Sequence, residues 1–537
     1  MNKILLSAIA LALPAVASAQ SAVDAYTLSQ TEMRGTARFM SMGGAFTALG
    51  GDLSAVSLNP AGIGVYRSSE IGATLDIDFN SFKTTDFKES QTKASCNNFG
   101  YVGVARLDGT LRTFAWGASY NRAATFNRLT HGYSPSLDTS LSNYIASYTT
   151  ANGVYAGDMD FEANKYNPYI DSDIDWLSIL AYSGYMINPY NSAANQYQGL
   201  YQNGTKADAY YTARERGYVD EYNFSFGGNI SNVVYWGLNI GVTDLSYSRD
   251  VAYDESLGNA AIANYRGHLV TGDAGFTLYN SQHVSGNGWN LNFGLIVKPI
   301  NELRIGFSIK TPTWWSLQHA YVADLDYRYY DPALPESTDK DSMNPMEGSD
   351  YTETAEFDSR LKSPWRLNFG VAGVIGSSAI ISLDYEHLAY GDMTMKHQSG
   401  YYGNSFEDAT YVNQDIKDYF QSANAIRLGI EYRVTPSFSL RAGYAWQSSA
   451  VFFFNDTATT EIYTSGTDPS YIFNKSTNQV SIGAGYRYKG WYIDAAYVYK
   501  KRDSSYHCFT DFDGYRAPAG SLDEHTNSLV ISTGFRF

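Results

Sequence analysis

Residues Ile71-Gly72-Ala73-Thr74-Leu75-Asp76-Ile77-Asp78-Phe79-Asn80 alternate without a break between apolar side chains and small or polar ones. A period of two marks a strand whose faces meet different surroundings. The pattern returns where Leu303, Ile305, Phe307 and Ile309 alternate with Arg304, Gly306, Ser308 and Lys310, and again through Ile426 to Val434 and Val480 to Tyr488. Most runs last roughly 9–13 residues, near the length a tilted strand needs to cross a bilayer and longer than the ~5–6 of an ordinary strand. A continuous apolar face opposite a charged, small or polar one predicts an all-β fold, an antiparallel transmembrane β-barrel with a polar lumen.

Turns allow the strands to be counted. Tight connections lie near Asp108-Gly109, Ser231 to Gly237, Lys298 to Leu303, Gly376 to Ala379, Arg433 to Ser437 and Tyr488 to Trp491. These join six strand pairs, and the strands beginning at Glu70 and ending at Phe537 bring the expected total to 14. Aromatics beside the turns (Tyr235, Trp236, Phe438, Tyr488, Trp491) suit an interfacial girdle. The opposite connections are long and polar, at about residues 127–219, 251–285, 328–362, 398–423 and 455–475. In a barrel of the outer membrane the long loops face outside and the short turns the periplasm. A last amphipathic strand closing on Phe537 is expected to be read by the outer-membrane insertion machinery, and the barrel wall to contact outer-membrane lipid.

Composition agrees with this and excludes several classes. Of 537 residues only 17% are charged, while 15% are aromatic, with 46 tyrosines, 47 glycines and 14 prolines. A helical enzyme of this size carries more charge. The formal net charge of −16 argues against a nucleic-acid partner, which requires clustered Lys and Arg. Mean hydropathy is −0.30, and no apolar run of about 18 residues follows the N-terminus, so a polytopic helical membrane protein is excluded. Lys3, the apolar stretch Ile4 to Ala17 and Ala17-Ser18-Ala19 read as a secretory signal at residues 1–19, cleaved after Ala19. The expected location is the outer membrane of a Gram-negative bacterium.

Residues 20–69 precede the first strand and lack its period. They contain Gly35-Thr36-Ala37-Arg38-Phe39-Met40-Ser41-Met42-Gly43-Gly44-Ala45-Phe46 and end on Ser57-Leu58-Asn59-Pro60-Ala61-Gly62. Paired glycines permit tight backbone turns, and Asn59-Pro60 marks a turn rather than a strand. This segment resembles the N-terminal hatch of the FadL family, outer-membrane transporters of long-chain fatty acids and other hydrophobic compounds. The resemblance is sharp over residues 33–70 and only architectural over the barrel at 70–537. It implies a 14-stranded barrel with the hatch in its lumen, and passive uptake of a hydrophobic small molecule through hatch gating and lateral release. It also implies a gate region around Gly43, Gly44, Phe46, Asn59, Pro60 and Ala61. Uptake of haem or another porphyrin, or a surface barrel with an adhesive or structural role, are the alternatives.

Catalytic and metal signatures are absent: there is no G-x-S-x-G, H-E-x-x-H, glycine-lysine phosphate loop or C-x-x-C, and no two of the eight histidines lie four apart. An enzyme is therefore not expected, nor a cofactor or a bound metal. Asp171, Asp173 and Asp175 have the spacing of a calcium loop, but Trp176 stands where that loop needs glycine. The apolar run Trp176 to Tyr182 behind these acids predicts a short helix in the longest loop. If exposed, its Trp176, Leu177 and Leu180 would capture a greasy ligand; alternatively it folds down to close the barrel. Arg427, Arg441 and Lys310 are expected to point inward, to meet a ligand carboxylate or to pair with lumenal acids such as Glu431. The two cysteines, Cys96 and Cys508, are expected to form a disulfide in an oxidising compartment if their loops lean together across the barrel seam.

Overall fold

The computed structural model describes residues 20–537 apart from 163–164, 191–194, 340–341, 377, 400–404 and 453–460. The signal segment at residues 1–19 lies outside the described residues. The fold is a closed antiparallel barrel of 14 strands. In chain order these are β1 (Glu70–Lys83), β2 (Lys88–Arg106), β3 (Leu111–Thr125, resumed at Arg128–Ser134), β4 (Lys206–Ile230), β5 (Val234–Ala263), β6 (Leu269–Ile300) and β7 (Leu303–Lys310 with Trp314–Tyr330). Then follow β8 (Ala355–Lys362 with Arg366–Ile375), β9 (Ala379–Leu388), β10 (Ala423–Thr435), β11 (Phe438–Gln447), β12 (Tyr471–Tyr488), β13 (Trp491–His507) and β14 (Ala519–Arg536). The first and last strands close the barrel in register, from Glu70 opposite Arg536 to Lys83 opposite Asp523. All six short turns fall where the sequence places them.

Polarity along β1 is inside out. Leu75 and Phe79 are 66% and 43% exposed, whereas Asp76 and Asp78 are 1% and 4% exposed. No water-soluble sandwich arranges a strand this way, because buried carboxylates need partners and exposed leucines gain nothing from water. The outward band belongs in lipid. No helix among the described residues is long and apolar enough to cross a membrane, so strands do the crossing.

At the long-loop end the polarity inverts along single strands. In β5 the outward Leu238, Ile240 and Val242 give way to Ser246, Ser248 and Asp250, while the inward Asn239 and Thr243 give way to Leu245, Tyr247, Val251 and Tyr253. The strands thus continue past the lipid band as the wall of a water-exposed cap with an apolar interior. This corrects two expected loops. Residues 251–285 are mostly strand, with only 264–268 between β5 and β6, and β4 begins at Lys206 inside the expected loop 127–219. A hydrophobicity pattern whose phase flips midway does not read as one strand.

The cap holds the main apolar core. Helices α4 (Leu141–Ala151), α5 (Pro168–Asp171) and α6 (Trp176–Ser183), which follow the three short helices of the N-terminal segment, bring Ile145, Ile179 and Leu180 against Phe276, Leu278, Leu325 and Phe509. Asp175 caps α6, accepting from the Leu177 N–H at 2.9 Å. Two of the three loop aspartates thus serve a cap and a turn; Asp171 accepts from the Asn167 N–H at 2.7 Å. A further helix, α7 (Thr410–Tyr419), packs beneath the cap near Tyr26 and Phe420.

Candidate functional site: the filled lumen and a break in its wall

The N-terminal segment carries α1 (Ala22–Leu28), α2 (Ala37–Ser41), α3 (Ala55–Leu58) and a 3-10 turn at Pro60–Val65. Strands on all sides of the lumen bind it. The Ala37 N–H donates to Ser532 of β14 at 2.7 Å, the Thr47 N–H to Asp384 of β9 at 2.7 Å, and the Asn59 amide to the Leu295 carbonyl of β6 at 3.4 Å. Arg38 reaches Glu431 of β10 at 2.8 Å. The segment therefore lies inside the barrel, towards the short turns.

Residues expected at the gate come together here. Gly43 and Gly44 adopt φ of +61° and +72°, the left-handed region that favours glycine, and a Cβ on Gly43 would stand 2.7 Å from the Tyr444 carbonyl. Phe46 is fully buried, 5.5 Å from the Phe39 ring and beneath the Arg38 guanidinium. Asn59 organises the turn: its Oδ1 accepts from the Ala61 N–H at 3.0 Å and its amide donates to the Thr47 carbonyl at 2.6 Å. Pro60 opens the 3-10 turn, and Ala61 packs against Tyr235 and Ile296. Tyr235 thus turns inward rather than joining an interfacial girdle.

The wall supplies seats that sequence reasoning missed. A Cβ at Gly237, Gly294 or Gly306 would collide with Pro60, Asn59 or Thr47. These glycines sit on the inward parity of their strands, so the backbone of the segment can lie directly on the backbone of the wall. Glycine recurring on the polar face of successive strands was the available signal.

Above the segment lies a chamber of about 180 Å³. Its lining carries eight cations (Arg34, Arg122, Lys310, Arg366, Arg427, Lys475, Lys500, Arg502) and three carboxylates (Glu32, Glu221, Glu386), with Tyr26, Met33, Phe39, Leu58 and Trp446 between them. Arg427 pairs with Glu386, and its Nη1 is buried with no hydrogen-bond partner. Lys310 pairs with Glu221. Arg441 does not line the chamber: it is fixed at 2.7 Å from Glu431 and 2.6 Å from Asp494, a structural tie beneath the segment.

Two expectations need correction. Leu180 is completely buried, Leu177 nearly so, and Trp176 packs on Tyr169 at 5.1 Å between ring centres, so α6 forms the cap core and exposes no apolar capture surface. Burying that area against Leu325 and Phe276 outweighs leaving it in water. Cys96 and Cys508 are both free. Cys96 lies within β2 opposite the outward Leu75, whereas Cys508 is buried in the cap core, on the other side of the wall.

One interface of the barrel is incomplete. The β2–β3 ladder runs from Arg106 opposite Thr113 only to Asn98 opposite Asn121. Beyond that level β2 continues through Lys88–Asn97 paired with β1 alone, while β3 carries an irregularity between Arg122 and Ala124 and stays paired only with β4. The resumed strand at Arg128–Ser134 pairs with β4 and leans on the far side of the seam, Arg128 reaching Glu524 of β14 at 3.1 Å and Thr84 donating to the His131 carbonyl at 2.6 Å. The edges of β2 and β3 are therefore unpaired above this level, with Ala94 and Cys96 on one edge and Arg122 on the other. Arg122 both lines the chamber and pairs with Asp220 at 2.9 Å. An ion pair beside an apolar band is costly unless it has work to do.

The closed 14-stranded barrel is the fold of the FadL-type transporters, and it is the fold of this chain. A Pseudomonas aeruginosa FadL homologue superposes with a TM-score of 0.50 at 13% identity, over 94% of this chain and 99% of that one. The TodX monoaromatic hydrocarbon channel with its deltaS2 change gives 0.51 at 13% identity, over 94% and 98%. The Pseudomonas putida toluene transporter TodX gives 0.47 at 12%, over 95% and 100%. No family model matches the sequence, and no curated protein matches it.

Proposed function

We propose that this protein takes up hydrophobic small molecules passively across the outer membrane, and that its preferred cargo is an amphiphile with an anionic head, such as a long-chain fatty acid. The observation that carries the reading is the cation-rich chamber opening beside the β2–β3 break. A carboxylate is stabilised by the unpartnered Arg427 Nη1 and its neighbours Arg366 and Lys310, while the tail lies along Phe39, Leu58 and Trp446. Residues 20–69 act as the hatch, holding the path to the short-turn end shut. Lateral exit follows from solvation: a greasy tail leaving through the break passes into lipid and avoids the aqueous periplasm. The solved barrels of this fold include channels described as carrying toluene and monoaromatic hydrocarbons, which supports an apolar cargo.

Mass spectrometry of molecules extracted from the purified barrel tests this. Amphiphilic acids in stoichiometric amount are expected; an empty barrel that conducts ions freely would overturn the reading.

A further inference from the structure

The residues that join α1 to α2, Gln30–Arg34, run across the inner side of the wall break and are fastened to both of its lips. On the β3 lip the Glu32 N–H donates to the Ala123 carbonyl at 2.9 Å, and Thr125 Oγ1 donates to the Glu32 carboxylate at 2.9 Å. On the opposite lip Arg34 donates to Asn97 and Ser95 of β2, each at 3.2 Å, and pairs with Asp76 and Asp78 of β1, each at 2.8 Å. The two halves are tied to each other, Arg34 Nη1 lying 3.3 Å from Glu32. The other oxygen of the same carboxylate meets Lys500 of β13 at 2.6 Å. The strap thus completes with side chains the joint that the β2–β3 ladder leaves unmade.

Glu32 also lines the chamber. It presents there what a cargo acid would present, a carboxylate on a cation-rich surface. We propose that Glu32 and Arg34 form a bolt across the β2–β3 break, and that an incoming carboxylate opens it by taking the place of Glu32 on Lys500. This rests on the function proposed above and adds to it the device that couples loading to lateral opening. The exchange is selective for physical reasons. The Glu32 and Lys500 side chains are only 12% and 20% exposed, and a mostly buried ammonium that loses its partner is strongly destabilised. A carboxylate replaces Glu32 with little change in that balance, whereas an alcohol or hydrocarbon leaves Lys500 unpaired. Once the Glu32 side chain turns away, Thr125 loses its partner on the strap, and the β3 lip is left held by the single bond from the Glu32 N–H to the Ala123 carbonyl.

The bolt is tested with a reporter on the β3 lip: Ala123→Cys in a Cys96→Ser background, reacted with a maleimide dye in detergent-purified barrel whose folding is checked by heat-modifiable migration. Without ligand the reporter should react slowly. Glu32→Gln should raise the rate about tenfold or more, since a neutral amide replaces the charge on Lys500, and Glu32→Asp should retain much of the protection. In the wild-type strap, dodecanoate should accelerate labelling and dodecanol should not. Should Glu32→Gln fail to fold, the pair Glu32→Gln with Lys500→Gln removes both charges together and carries the same expectation. Unchanged labelling in the folded variant overturns the bolt, as does equal acceleration by dodecanol. Binding of dodecanoate is measured separately by equilibrium dialysis. Binding without acceleration overturns the bolt alone, while failure of dodecanoate to bind overturns the proposed function and with it the ligand-driven opening.

Discussion

The lumen is closed twice, and the two closures differ in their balance of polar and apolar contacts. The N-terminal segment meets the wall through polar groups and bare backbone, with Ala37 on Ser532, Thr47 on Asp384, Asn59 on the Leu295 carbonyl and Pro60 over Gly237, and through smaller apolar contacts with Val102, Ala115, Ala372, Val498 and Val530. The cap at the long-loop end meets the same strands through Ile145, Ile179 and Leu180 against Phe276, Leu278 and Leu325. A hydrogen bond exchanged for one to water changes free energy by only about 0.5–1.5 kcal/mol. Exposing apolar area costs about 25 cal/mol per Å² with no replacement partner. On the function proposed above, the first closure, with its larger polar share, is the one that moves within a stable barrel, whereas the second holds unless its core is broken. The contrast separates a closure held largely by exchangeable polar contacts from one held by an apolar core.

The contrast breaks most directly by removing one closure. Deleting residues 33–66 should leave a folded, inserted barrel with strongly raised ion conductance in planar bilayers, because the cap and the 14 strands keep their own contacts. Unchanged conductance would mean that the segment does not fill the lumen. In the cap, Leu180→Ala should destabilise by about 2–5 kcal/mol through the cavity it leaves. Limited proteolysis should then cut within residues 135–205 while the barrel stays resistant. An uncut cap would show that its core tolerates the cavity and is less decisive than its burial indicates.

Asn59→Ala removes the caps on the Ala61 N–H and the Thr47 carbonyl and should cost about 1–2 kcal/mol, local to the hatch. Brief conductance openings should become more frequent with no change in thermal unfolding of the barrel; a lowered Tm instead would place the hatch among the rigid parts. The smallest effect is expected at the α6 cap. Burial pushes the Asp175 carboxyl up to about 6 from its usual 3.8. A raised acid is held more tightly by the folded state, so the cap is most stable below about pH 4 and loses stability as pH rises through 6. Asp175→Asn keeps an N-cap and should flatten the pH dependence of proteolysis between pH 4 and 7; a slope that survives the substitution assigns it to another group.

The barrel itself was legible in the sequence. Alternation as in Ile71 to Asn80 fixes which side chains share a face, and the six short turns fix how many strands there are, because both signals are local. The glycines of the gate region and the Asn59-Pro60 turn were legible for the same reason: each answers a backbone demand within a few residues. Non-local arrangements were not. That α6 is buried depends on Leu325 and Phe276, distant in the chain; that Cys96 and Cys508 lie on opposite sides of the wall depends on the parity of two strands; that Glu32 and Arg34 straddle a break depends on where the β2–β3 ladder ends. Charge type and period pass from residue to residue along a chain, so they were readable from it. Which carboxylate meets which guanidinium, and which strand edge goes unpaired, is decided only when the barrel closes and residues such as Glu32 and Lys500 are brought within 2.6 Å of each other.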